Sequence, residues 1–247
     1  MKYTTEDKFP ANTISQTLFP DLLDLDIIDI NQDTNCADCL FPVCFANDYE
    51  VLNELGQKIY HLKEKSGCCE RIFCYNCRGF NLTINKTITV NNNSNISLEG
   101  EKDCKLDYFE CFGCGKPSIS INVKYPKDSF LGKVSVNWNS CCFPKCSTRI
   151  EIFNSNNQLK YVIKANSCCC NIGICYNHLP KCCDILYNIY QNKEIIGKIE
   201  KLCCSNYRIF CTKGDKYRIY FPPIATPEEK MLLIIGCLLI DYQSFYL

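Results

Sequence analysis

The apolar run Met231-Leu-Leu-Ile-Ile-Gly-Cys-Leu-Leu-Ile240 constrains this chain more than any other stretch. A helix-start signal precedes it. Thr226 is placed to act as N-cap, Pro227 takes the first helical position, and Glu229 completes a capping box three residues after the cap. A helix over about 227–245 that is apolar on every face must be enclosed, by protein or by lipid. At ~1.5 Å rise per residue the run covers roughly 15 Å, about half of a hydrocarbon core of ~30 Å. Asp241 then interrupts, and a longer span would carry Asp241, Gln243 and Ser244 into lipid. Enclosure by a protein core is the favoured reading and a membrane span the alternative. In either case Met231, Leu232, Ile235, Leu238 and Leu239 are the residues that must be covered.

The enclosure has to come from strands. From about residue 46 the hydrophobic period is two: Leu82 and Ile84, then Ile119, Ile121, Val123 and Tyr125, then Val134, Val136 and Trp138 alternate with polar residues. Turn signals punctuate them at Leu55-Gly-Gln57, Asn91–Asn95, Tyr125-Pro-Lys-Asp128 and Asn154–Asn157. Many short, regularly punctuated strands imply a sandwich or barrel. An internal repeat favours the barrel. Residues 50–69 align with 151–170, matching Glu50/Glu151, Asn53/Asn154, Gln57/Gln158, Tyr60/Tyr161 and Cys68-Cys69/Cys169-Cys170 among others. A second echo pairs Leu131-Gly-Lys-Val134 with Ile196-Gly-Lys-Ile199. The expected fold is mainly β, an antiparallel barrel of two similar halves closed around the C-terminal helix. Residues 1–45 show no strand period and are expected to form a weakly structured arm.

Charge excludes little and points to no polyanion. The chain carries 27 basic and 27 acidic residues, so no global field draws it to nucleic acid. Met1–Gln16 lacks the apolar core of a signal peptide, and the sequons at Asn81, Asn85, Asn92 and Asn95 are read as chance matches in an Asn-rich stretch. The 23 cysteines leave three readings open: thioester lipidation of an exposed subset, zinc held by the Cys-x-x-Cys pairs Cys36/Cys39, Cys74/Cys77 and Cys111/Cys114, or packing as small buried hydrophobes. His61 and His178 stand beside no nucleophile signature, and no catalytic residue is expected.

From about Asn47 onward the chain resembles the phospholipid scramblase family. The residues that carry the resemblance run in order: Asn47–Tyr60 as an opening hairpin, Cys68-Cys69, Arg78-x-Phe80-x-Leu82-x-Ile84, Leu131-Gly-x-Val134 leading to Trp138, Ile196-Gly-Lys-Ile199, Ile219-Tyr-Phe-Pro222, and Gly236-Cys-Leu-Leu-Ile-Asp241. The resemblance implies a barrel of about twelve strands around a C-terminal helix, the tubby-like fold. It also implies association with a phospholipid membrane, at the cytoplasmic face of the plasma membrane, and calcium-dependent, ATP-independent movement of phospholipids between leaflets. Without lipidation the cytosol or nucleus is the expected location. Protein partners are left open, as is the oligomeric state.

Two departures bear on that activity. The family's proposed calcium segment places paired aspartates before Ile-x-Phe-Pro and another after it. Here those positions are Lys213, Asp215 and Ile224, so a single carboxylate remains, Asp215. Calcium takes about six to eight oxygens, which makes calcium binding here weak and leaves zinc as the alternative metal. The family's dense palmitoylated cysteine run is thinner, with Cys104, Cys111 and Cys114 as the acceptors it implies. The competing function is a lipid-anchored scaffold or regulatory binding module without transport.

Overall fold

A computed structural model describes residues 18–33, 47–65, 80–86, 98–102, 120–125, 129–138, 148–165, 185–202 and 215–244. Among the described residues, twelve strands follow one another: β1 Ile27–Asp33, β2 Asp48–Leu52, β3 Lys58–Lys65, β4 Phe80–Lys86, β5 Leu98–Lys102, β6 Ser120–Tyr125, β7 Ser129–Trp138, β8 Thr148–Asn154, β9 Leu159–Ala165, β10 Ile185–Gln191, β11 Glu194–Leu202 and β12 Lys216–Tyr220. Each pairs antiparallel with its neighbours, and β1 pairs with β12 to close the barrel. Helix α1, Pro227–Ser244, follows β12 and lies inside.

The period-two pattern explains the wall. Inward positions such as Ile28, Ile30, Val51, Leu62, Ile84, Val134, Ile152, Ile163, Ile199 and Ile219 are buried with the helix in one continuous core. Outward positions carry charge. Asp48 faces Lys63 and Asp29 faces Arg218 directly across paired strands, and both pairs form salt bridges. Among the described residues, the exposed large apolar side chains Leu23, Leu55, Leu159, Ile195 and Ile224 belong to turns, strand starts or connections rather than mid-wall positions.

The repeat has a structural counterpart. Between β2 and β3, the Asn53 side chain accepts from the Leu55 and Gln57 N–H groups. Between β8 and β9, Asn154 accepts from Asn156 and Gln158 in the same way. Gly56 (φ 73°) and Asn157 (φ 57°) fill equivalent left-handed positions, the one reached through the absence of Cβ and the other through a short side chain that tolerates it. The shorter echo is also real. Gly132 and Gly197 each stand beside a bulge in their own strand, where Leu131 and Ile196 are the extra residues opposite Val123/Lys124 and Ile189/Tyr190. The two echoes relate different strand pairs: β2–β3 to β8–β9 in one case, β6–β7 to β10–β11 in the other.

The arm expected over residues 1–45 needs correction in its described part. Ile27–Asp33 is a barrel strand, hydrogen-bonded on both edges, so the barrel begins well before residue 46. Its alternation, Ile28, Ile30 and Gln32 inward with Asp29 outward, is brief and sits among acidic residues that mask the period. Just before it, a 3-10 turn at Pro20–Leu22 buries Phe19 and Leu22 completely, with the Phe19 ring edge-on to Tyr60 at 6.3 Å.

Candidate functional site

Because successive strands alternate direction, the connections fall into two sets at opposite rims. At one rim lie the tight β2–β3, β8–β9 and β10–β11 turns, the 3-10 turn, and the start of α1. At the other, strand ends are joined by residues 34–46, 66–79, 103–119, 139–147, 166–184 and 203–214. Read on the sequence, those six stretches hold every cysteine but Cys237. The alternation thus sorts the chain's chemistry: a turn-side rim, and a cysteine-side rim. The candidate lipid-anchor residues Cys104, Cys111 and Cys114, the three Cys-x-x-Cys pairs, His178 and Lys213 lie outside the described residues. His61 is on β3, half-buried.

The helix enters at the turn-side rim with the capping box formed. Glu229 N–H donates to Thr226 Oγ1 at 3.3 Å, and Thr226 N–H donates to Glu229 Oε2 at 3.2 Å. The same carboxylate accepts from Tyr161 O–H at 2.7 Å and pairs with Lys160 at 3.1 Å. Burial, together with the bond to Glu229, pushes the Tyr161 phenol well above its ordinary value. Lys230 turns outward to the 3-10 turn and donates to the carbonyls of Leu22, Leu23 and Leu25 at 2.9, 3.1 and 2.7 Å. Asp21, on that turn, bonds Tyr60 and Lys86. One mouth of the barrel is thereby closed by residues 18–26.

Along the barrel axis, Met231, Leu232, Ile235 and Leu239 are at most 1% exposed and Leu238 is 6% exposed. Gly236 lets the helix approach the β8–β9 wall: a Cβ there would stand 3.0 Å from Ile163 Cδ1 and 3.4 Å from Ile152 Cδ1. No helix among the described residues is long and apolar enough to cross a membrane. The helix is enclosed by protein.

At the cysteine-side rim the interior turns polar. Gln32, Glu64, Lys201, Asp215 and Asp241 are all buried there. Lys201 Nζ donates to Asp215 Oδ2 at 2.5 Å. Asp215 N–H donates to Gln32 Oε1, Gln32 N–H donates to the Asp215 carbonyl, and Gln32 Nε2 donates to Asn47 Oδ1. Asn47 Nδ2 in turn donates to Glu64 Oε2 at 2.9 Å. Sequence reasoning missed this layer, because Glu64 and Lys201 sit at inward positions of otherwise amphipathic strands. The available signal was charge on the apolar phase of the alternation.

The layer bears on the calcium reading. Asp215 lies at the cysteine-side rim, Ile224 beyond the far end of β12, and five residues of strand at ~3.4 Å each separate the rims by roughly 17 Å. Calcium ligands stand about 2.3–2.6 Å from the ion, so these two positions do not share one. The Asp215 carboxylate is already matched by an ammonium. Among the described residues, no group of acidic, Cys or His side chains is arranged to hold a metal ion. The donor set around Asp215 does not fit calcium.

Comparison with known proteins agrees with the ordered motifs. The chain is 27% identical over 226 residues to phospholipid scramblase 2 of Homo sapiens, covering 91% of this chain and 69% of that protein. It is 27% identical over 226 residues to phospholipid scramblase 1 of Mus musculus, covering 91% and 62%. Phospholipid scramblase family member 5 of Homo sapiens is 26% identical over 227 residues, covering 91% and 75%. No solved structure matches. The family model for Scramblase matches residues 9–246, nearly the whole chain and the strand β1 with it, and this protein belongs to the scramblase family.

Proposed function

We propose that this protein is a membrane-associated phospholipid scramblase that moves lipids in both directions between leaflets without ATP. Membership of the family over residues 9–246 is the observation that carries this reading. The reaction makes and breaks no covalent bond, so it needs a polar track for headgroups rather than a nucleophile. In this reading the buried polar layer at the cysteine-side rim supplies such groups. Thioesters on Cys104, Cys111 or Cys114 would bring that rim to the cytoplasmic face of a membrane, the plasma membrane by resemblance. Calcium does not act through Asp215 in this reading, since Lys201 occupies its carboxylate. Zinc held by paired cysteines is the metal alternative, and metal content of the purified chain measures it.

A second reading has its own support. The helix is sealed inside the barrel and no described helix crosses a bilayer, which favours a lipid-anchored scaffold or regulatory module without transport. Fluorescent-lipid exchange in liposomes reconstituted with the purified protein separates the two. Protein-dependent exchange, equal in calcium and in chelator, is the expected result. No exchange from folded, liposome-bound protein would leave the scaffold; exchange that needs calcium would overturn the role given to Asp215.

A further inference from the structure

The proposed function makes no use of the carboxylate at the end of the helix. Asp241 lies in the last turns of α1 with no exposure to solvent. Its Oδ2 accepts from Tyr49 O–H on β2 at 2.6 Å, and its Oδ1 accepts from Tyr217 O–H on β12 at 2.8 Å. Tyr49 and Tyr217 stand on strands to either side of β1, so one carboxylate ties the helix to both. The other described groups that act on it are Asp215 before β12, Lys201 on β11, and the buried Cys237 thiol one turn back on α1.

These neighbours pull in opposite directions. Removal from water disfavours the charged form most, and the Asp215 charge adds to it. The partial negative charge at a helix C-terminus acts in the same sense. Lys201 and the two tyrosine hydroxyls favour the ionised form. Burial wins, and Asp241 is pushed from its ordinary 3.8 up to about 7. Burial and Asp241 likewise push the Cys237 thiol up, so it stays protonated.

We propose that Asp241 is a proton-linked latch: it holds a proton while it fastens the final turn of the helix between β2 and β12, and gives that proton up when the turn releases. The sign follows from the higher folded value. The latch is fully effective below the ordinary carboxylate range, weakens as pH rises toward neutrality, and levels off above it. It regulates the rim where all the cysteine-bearing connections meet the barrel. This inference rests on the fold and stands whether or not the protein moves lipid.

Hydrogen exchange of the full chain over residues 236–244, corrected for intrinsic rates, tests it together with infrared detection of a protonated carboxyl. The expected opening equilibrium rises up to about tenfold per pH unit from about pH 5 and flattens near pH 7. Asp241→Asn, which copies the shape of the protonated acid, abolishes both the slope and the carboxyl band. Tyr217→Phe removes a donor that favours the charged form and moves the midpoint upward. A slope that survives in Asp241→Asn, a missing carboxyl band in the wild type, or a midpoint unmoved by Tyr217→Phe would overturn the latch.

Discussion

At the scale of single residues, the 3-10 turn and the start of α1 are joined by polar side chains acting on backbone. Lys230 satisfies three carbonyls of residues 22–25, groups that the end of a 3-10 turn does not pair within itself. Leu18 N–H reaches Glu228 Oε1 at 3.3 Å in the same contact. Lys230→Met keeps much of the stem but removes the donor. It is expected to cost about 1–3 kcal/mol, the penalty for leaving buried acceptors unmatched, read as a lower urea midpoint at unchanged slope. A midpoint equal to wild type would show that water replaces the ammonium. The capping box behind this contact was legible in the sequence, because Thr226, Pro227 and Glu229 are local neighbours. The partner of Lys230 was not, since more than two hundred positions separate it from Leu22.

At the scale of elements, close approach between strand and helix fixes where glycine is needed. A Cβ on Gly132 of β7 would stand 2.5 Å from the Phe153 carbonyl oxygen and 2.6 Å from Leu232 Cδ1. The leucine end belongs to a flexible side chain, but the carbonyl belongs to the backbone of the paired strand β8. Gly132→Ala is expected to destabilise by about 1–3 kcal/mol, as overpacking of a tight core does. Thermal unfolding with and without the substitution measures it, and an unchanged midpoint would mean that β7 and β8 separate without cost. A Cβ on Gly197 of β11 would stand 2.7 Å from the Tyr220 carbonyl oxygen in the same manner, which explains the shared Gly-Lys echo. That echo was visible in the sequence, but its structural setting, a bulge just before each glycine in its own strand, needed the strand pairing.

At the scale of the whole molecule, the barrel separates two rims of different character. One is closed by residues 18–26 and short turns; the other gathers the connections that carry the cysteines. If thioesters anchor the second rim, replacing Cys111 and Cys114 by Ser moves the protein from the membrane fraction to the soluble fraction. Unchanged fractionation would remove those two residues from the anchor. The strand ends that lead into those connections share this rim only because antiparallel strands return to it.

The sequence by itself determined the helix, its cap, its need for enclosure, the alternating strands and the matched Asn turns. Each depends on residues within a few positions of one another, where spacing alone sets which side chains share a face. Tertiary structure alone decided that Ile27–Asp33 closes the barrel against β12. It also decided that Asp215 faces Lys201 rather than a metal, and that Asp241 lies between Tyr49 and Tyr217. Those outcomes depend on which strands become neighbours and in what register, and a barrel settles that only when its last strand meets its first.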